Sequence, residues 1–294
     1  MTATATDVPF TIEQGGAPNV AVVRCEIDSV EGWEQWVLCR TDAHWDNPDC
    51  NREREKRHLD EAVRRGAAII DNGDLFCAMQ GKYDKRSDKS KVRPEHNNSQ
   101  YLDSLVTTAV DYYAPYARNF VQIGEGNHET SIRDRHETHL TERLIGGLNA
   151  RGGQILNGGY SGWVAFHFVR AGTHRITRRL WRIHGYGGGG PVTGDMIQSA
   201  RQMAYVHGAD VMFTGHTHDY WYRQQPSLTL NKDHVPTQRI SHYIKGGSYK
   251  DEYKTGKGGW HVGTGKPPKP NNGAWWVRFY WAEKTVQIQI LATE

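Results

Sequence analysis

A chain of 294 residues with 37% apolar and 23% charged side chains is long enough to bury a core as one domain spanning residues 1–294. No apolar run reaches the roughly 18 residues that a membrane-spanning helix needs, and the opening MTATATDVPFTIEQGG lacks a basic start and an apolar stretch, so a cytoplasmic protein without a membrane partner is expected. The formal net charge of +3 is too mild to argue for nucleic-acid binding by itself.

Along the chain, QWVLCRTDAH starts as a short apolar strand from Trp36 to Cys39 and turns polar near Thr41. Residues 51–65 are charged, with Leu59, Ala62 and Val63 at helical spacing and Gly66 as the expected C-terminal cap. AAIIDNGD is a continuous apolar run into a turn, the pattern of a parallel strand covered on both faces. SQYLDSLVTTAVDYYAPYA reads as a helix stopped near Pro115, NFVQIGEGNHE as a strand entering a glycine turn, and ETHLTERLIGGLNA as a further helix. GWVAFHFVRAG and ITRRLWRIHG read as a hairpin meeting at Thr173 and His174. TGDMIQSARQMAYVHG reads as a helix closing on Gly208, and ADVMFTG as a strand. The tail, RISHYIKGGSYKD and GAWWVRFYWAEKTVQIQIL, is β-rich. Strand and helix alternate in the first half and antiparallel strands follow, which predicts an α/β fold with mixed sheets. Residues 81–97 and 253–273, rich in Lys, Gly or Pro, are expected to be insertion loops.

Metal-competent side chains recur at the C-terminal ends of these strands: Asp42 and His44, Asp74, Asn127 and His128, His184, and His216 with His218. In an open α/β sheet that is where ligands bind, so the clusters should converge. Asp42 and His44 are two apart, as are His216 and His218, and an extended backbone would point each pair the same way. Singly, each Asp or Asn is as well read as a turn or cap residue. As a set they offer carboxylate and imidazole, which suit borderline divalent ions. The donors are too many for one tetrahedral site and about right for two ions sharing a carboxylate. Two such ions, roughly 3.5–4 Å apart, can clamp an in-line phosphoryl displacement. The four cysteines, Cys25, Cys39, Cys50 and Cys77, form no CxxC pair and are expected to be free thiols.

The motifs DAH (42–44), GD (73–74), GNHE (126–129), HG (184–185) and GHTH (215–218) stand in the order found in the calcineurin-like metallophosphoesterases, which the chain resembles from Asp42 to His218. The resemblance implies a four-layer α-β-β-α sandwich of two mixed sheets flanked by helices. It implies that Asp42, His44 and His218 hold one ion, that Asn127, His184 and His216 hold the other, and that Asp74 bridges them. His128 would protonate the leaving oxygen or steady the phosphoryl charge. The ions are expected to be two divalent cations, manganese first, with iron, zinc, nickel or magnesium as alternatives. The phosphoprotein-phosphatase branch extends GD to GD-x-x-D, where the second acid supports the histidine of GNH. Cys77 stands at that position here, so a protein phosphatase is disfavoured.

The expected activity is hydrolysis of a phosphodiester by metal-activated hydroxide, with nucleic acid or a nucleotide as the substrate. The alternatives are a phosphomonoesterase acting on protein or metabolite, and a non-catalytic, metal-stabilised binding module. The glycine-rich GYGGGGPVTGD (185–195) lacks the Lys-Ser/Thr ending of a phosphate loop and is expected to be a flexible loop beside His184. Lys91 and Arg93, in the basic insertion, are the candidates for substrate contact against a reading as a solvated loop. The aromatic tail from Trp275 to Trp281 could stack bases, but alternating core residues of a strand explain it more simply.

Overall fold

Two mixed sheets face each other, and the parallel strands of both end at one rim. The computed structural model describes residues 7–78, 91–188, 195–231, 233–251 and 268–294, together with 253–254, 257–258, 263 and 265. The six-stranded sheet runs β15 (Thr285–Ala292), β14 (Ala274–Ala282), β3 (Glu34–Arg40), β4 (Ala68–Asp71), β5 (Phe120–Gly124) and β6 (Leu156–Gly159). Strands β3 to β6 are mutually parallel, and β14 runs antiparallel to β3. The seven-stranded sheet runs β1 (Phe10–Gln14), β2 (Val20–Ile27), β7 (Ser161–Arg170), β8 (His174–Ile183), β9 (Val211–Thr214), β11 (Pro236–Lys245) and β10 (Trp221–Leu230). Here β8, β9 and β11 are parallel. Two short strands, β12 (Tyr253–Lys254) and β13 (Lys257–Gly258), pair with each other.

The facing sides of the sheets bury Val37, Cys39, Ile70 and Val121 against Val23, Phe166, Leu180 and Phe213. All four residues of β4 are buried, as expected for a strand covered on both faces. Its outer face is covered by helices α1 (Arg52–Arg64), α2 (Tyr101–Tyr113) and α4 (Leu140–Asn149), through Leu59, Leu105, Leu144 and Leu148. The far side of the other sheet receives α5 (Asp195–Tyr205), whose Met203 packs near Trp181, Met212 and Tyr243. The layers are therefore helix, sheet, sheet, helix. Trp275, Trp276 and Phe279 are buried core residues, so the aromatic tail is explained by packing. All four cysteines are buried free thiols.

The structure departs from the sequence reading in three places. Strands β1, β2 and β10 were not expected, and β2 pairs parallel with β7 across a long crossover. A helix, α3 (Asn127–His136), starts on the GNHE motif itself. As expected, α2 stops just before Pro115, which lies in a 3-10 turn, Ala114–Tyr116. Of the basic insertion, 81–90 lie outside the described residues, while Pro94–His96 form a 3-10 turn. Among the described residues no helix is long and apolar enough to cross a membrane.

Beneath the rim lies a buried charge network. Arg40, the last residue of β3, pairs with Asp71 at the end of β4 (Nε–Oδ2 3.0 Å) and with Glu55 of α1 (Nη2–Oε1 2.7 Å), all with no exposed side-chain surface. The Tyr113 hydroxyl also donates to Glu55. Such a network fixes geometry more surely than it adds stability, because each ion loses its hydration.

His58 of α1 is buried as a neutral ring. Its Nε2 donates to the Glu294 backbone oxygen (2.9 Å) and its Nδ1 accepts from the Tyr249 hydroxyl (2.9 Å). Burial, helped by neighbouring arginines, lowers its pKa from 6.5 to about 4. The unfolded chain therefore binds the extra proton between those two values, and stability is complete above pH 6.5 and lost as pH falls toward 4. Across that window the wild type should lose roughly 3 kcal/mol more than His58→Gln in urea unfolding. Equal slopes for the two proteins would show that His58 does not titrate this way.

Candidate metal centre

The eight side chains from the five motifs do meet at one rim, where β3, β4 and β5 of one sheet end beside β8 and β9 of the other. The backbone that brings them there is not extended. Asp42 (φ 51°), His44 (φ 46°), Asp74 (φ 51°), His216 (φ 75°) and His218 (φ 58°) all occupy the left-handed region. The expectation that extended chain aims each i, i+2 pair is thus corrected. After β3 and β9 a pair of left-handed residues hooks both side chains toward the site, and after β4 Asp74 does so alone. Non-glycine residues in this region cost of order 1 kcal/mol or more each, and such strain collects at functional sites.

Hydrogen bonds hold the hooks. The Asp42 and His44 amides donate to Gly73 O (3.0 Å) and Asp74 O (2.9 Å). Asp42 Oδ2 accepts from the Thr41 hydroxyl (2.6 Å) and the His216 amide (2.9 Å), which joins the two sheets. Glu129 of α3 accepts the amides of Asp74 (3.0 Å), Phe76 (2.8 Å) and Gly126 (2.8 Å). It therefore caps its own helix and fixes the Asp74 turn together. Two glycines are required by contact: a Cβ on Gly126 would lie 2.0 Å from Asp74 Oδ1, and one on Gly215 would lie 2.1 Å from Thr41 Oγ1.

Two groups of donor atoms result. In the first, His44 Nε2 and His218 Nε2 are 3.2 Å apart, and Asp42 Oδ1 lies 3.9 and 3.3 Å from them. In the second, His184 Nε2 is 3.2 Å from Asp74 Oδ2 and 3.3 Å from Asn127 Oδ1, while His216 Nδ1 is 2.7 Å from Asn127 Oδ1. Asp42, His44 and His218 form one set with ligand-ready atoms within 4.8 Å of one another, and Asp74, His184 and His216 form another. The donor chemistry fits divalent cations: carboxylate and imidazole, buried, with Asp42 Oδ1 lacking a conventional hydrogen bond.

Three of the histidines are oriented by backbone carbonyls. His184 Nδ1 donates to Asn72 O (2.9 Å), His216 Nε2 to Gly187 O (3.0 Å), and His128 Nδ1 to Cys77 O (2.5 Å). Fixing the outer N–H leaves the inner nitrogen as the one facing the rim, the arrangement that metal-binding imidazoles use. The site's charges are tuned to match. Burial opposes ionisation of Asp42 and Asp74, yet His184 and its neighbouring imidazoles hold Asp42 below, and Asp74 well below, the usual carboxylate range. Burial, with His128 and Lys250, keeps His44 well below 6.5, and burial with His184 lowers His216. Burial would also lower His184, but Asp74 and Asp42 outweigh it and raise its pKa to about 9.

His128 lies beside these groups, with Nε2 3.8 Å from Asp74 Oδ2 and its amide donating to Asp74 Oδ1 (2.9 Å). The Cys77 carbonyl does the orienting that the acid of the GD-x-x-D branch is expected to do. The Cys77 thiol is itself buried, accepts from Asn47 Nδ2 (3.2 Å), and is pushed up to about 12 by burial and Asp46. Lys91 and Arg93 are engaged elsewhere: Lys91 pairs with Asp49 (2.7 Å), and Arg93 donates to the Asn47 and Cys50 carbonyls (both 3.1 Å). They brace the loop after His44. Sequence reasoning overlooked Lys245 and Lys250, whose charges reach His216 and His44. The signal was the KGGSYK stretch that closes β11, where Ser248 Oγ donates to Asp42 O (2.9 Å). The glycine-rich stretch touches the site through Gly187, and 189–194 lie outside the described residues.

No protein-family model matches the chain, and no curated protein matches it. Solved structures similar to it include the calcineurin-like phosphoesterase YfkN from Bacillus subtilis, at 11% identity over 88% of this chain and 90% of that one, with a TM-score of 0.41. Vacuolar Protein Sorting 29 from Cryptosporidium parvum matches at 11% identity, over 89% and 99% of the two chains, with a TM-score of 0.36. A metallophosphoesterase from Sphaerobacter thermophilus matches at 13% identity, over 88% and 89%, with a TM-score of 0.31.

A cation held by these donors must stabilise the folded chain. Manganese at a hundred times its dissociation constant should add about 2.7 kcal/mol and raise the melting temperature by roughly 4 °C. The variant Asp42→Asn/Asp74→Asn should lose that rise. The same rise in the variant would place the binding elsewhere.

Proposed function

We propose that the chain is a metal-dependent phosphoesterase that hydrolyses a phosphodiester, with nucleic acid or a nucleotide as the substrate class. The observation that carries this reading is the pair of adjoining donor groups, in the second of which His184 and His216 are both fixed from outside by backbone carbonyls. Asp42, His44 and His218 would hold one divalent ion, and Asn127, His184 and His216 the second, with Asp74 shared between them and manganese as the first choice. When bound, such ions supply an activated water and positive charge for the phosphoryl oxygens.

The chain's own groups account for the rest. Cys77 O accepts from His128 Nδ1 whether the ring is neutral or protonated, so Nε2 can carry a proton and release it to the leaving oxygen as the ester bond breaks. Asp74 Oδ2 lies 3.8 Å from that Nε2. Lys245 and Lys250 place further positive charge at the rim for an anionic substrate. A neutral carbonyl in place of the second acid distinguishes the site from the phosphoprotein-phosphatase pattern and favours the diester.

The test is turnover of bis-p-nitrophenyl phosphate with manganese, compared with p-nitrophenyl phosphate. Faster diester hydrolysis, abolished by chelation, is expected, and faster monoester hydrolysis would move the assignment to a phosphomonoesterase. His128→Ala should keep its metal content and lose roughly 10²–10⁴ in kcat. A folded wild type that turns over neither substrate with any divalent ion would remove the enzyme reading and leave a metal-stabilised scaffold.

A further inference from the structure

One buried cation beneath the site takes no direct part in the chemistry above. Arg182, on β8 two residues before His184, is fully buried, and its guanidinium crosses from the seven-stranded sheet to the six-stranded one. Among the described residues its hydrogen bonds go to neutral oxygens: Nε to Gln122 Oε1 of β5 (2.7 Å), Nη1 to Asn72 Oδ1 after β4 (3.2 Å) and Nη2 to Gly159 O of β6 (3.2 Å). The socket is made by missing side chains. A Cβ on Gly158 would lie 1.6 Å from Nη2, and one on Gly124 would lie 2.5 Å from Nη1. Desolvating a charge against neutral acceptors is costly, so the socket calls for a reason beyond packing.

The hydrogen bonds supply it. Asn72, gripped by Arg182, donates through Nδ2 to Ile183 O (2.8 Å), and its own carbonyl accepts from His184 Nδ1 (2.9 Å). Asn72 lies two residues before Asp74, and Gly124 three before Asn127. One guanidinium thus registers the three chain segments that carry Asp74, Asn127 and His184, all in the second donor group. The first donor group has its own anchor in Arg40, two residues before Asp42. We propose that Arg182 is the positioning residue of the second cation site, acting through Asn72 on the orientation of His184. This deepens the metal-centre reading and rests on it.

The test uses Arg182→Lys, which keeps the charge but cannot fork to three acceptors, and Gly158→Ala, which crowds the guanidinium without removing it. Manganese titration of the wild type should show two sites. In each variant one site should keep its affinity and the other weaken about 10–100-fold, the usual effect of losing a partner behind a metal ligand. In the metal-free protein, nitrogen NMR of the His184 ring should show the Nδ1–H bond to Asn72 weakened in both variants. Because Gly158→Ala could act through misfolding, Gly158→Ala/Arg182→Met is added. Removing the guanidinium should restore most of the melting temperature that Gly158→Ala alone loses, and no restoration would refute the socket. Unchanged second-site affinity with an unchanged His184 signal, or equal weakening of both sites, would overturn the proposal. A wild type that binds no manganese would defeat the metal reading, and the His184 signal would still decide the role of Arg182.

Discussion

Asp42 and Asn72 are the points at which the two sheets become one rim. An apolar interface between sheets fixes their spacing but is non-directional, and so sets their slide poorly. Here the slide is set by polar contacts: Asp42 Oδ2 takes the His216 amide from across the gap, and Asn72 takes both Ile183 and His184. The same residues stand beside, or belong to, the donor groups. The alignment of the sheets and the geometry of the site are therefore one constraint, and a shift of about 1 Å in one is a shift in the other.

That constraint explains why strained backbone persists. Five donor-bearing residues hold left-handed conformations that L-residues avoid. Such turns last only where the surroundings over-determine them. Glu129 bonds three amides around the Asp74 turn, and Gly73 O and Asp74 O hold the amides of Asp42 and His44. The buried Arg40–Asp71 pair ties the ends of β3 and β4 directly below. Strain at the rim is thus held by amide hydrogen bonds within it and by charge pairing one layer down.

The residues of the site were legible in the sequence because they follow apolar runs, and Asp74, Asn127, His184 and His216 each adjoin a glycine, a pattern that strand ends impose. What the sequence could not show was how they point. The i, i+2 spacing of Asp42 and His44 suits an extended chain, and the left-handed turn is decided by contacts with Gly73 and Asp74 that lie 30 or so residues away in sequence. β10 went unread because WYRQQPSLTL is polar and contains Pro226, which an edge strand tolerates and a central one does not. β2 went unread because its partner, β7, lies across a long crossover that local patterning cannot reveal. Lys91 and Arg93 were singled out by composition alone, which could not show that Lys91 pairs with Asp49 and Arg93 with the Asn47 and Cys50 carbonyls.

The protonation pattern completes the argument. Two ionised carboxylates and four inward-facing imidazoles are more negative and more crowded than a buried rim tolerates without a counter-charge. The fold supplies part of that charge by keeping a proton on His184, whose pKa is raised to about 9, while His44 and His216 stay neutral. A cation held by the second group would have to replace that proton, so binding there would be coupled to proton release, whereas His44 in the first group is already neutral. The two groups are therefore inequivalent before any ion arrives. Their difference comes from which imidazole lies closest to Asp74, which is a consequence of how β8 is registered against β4.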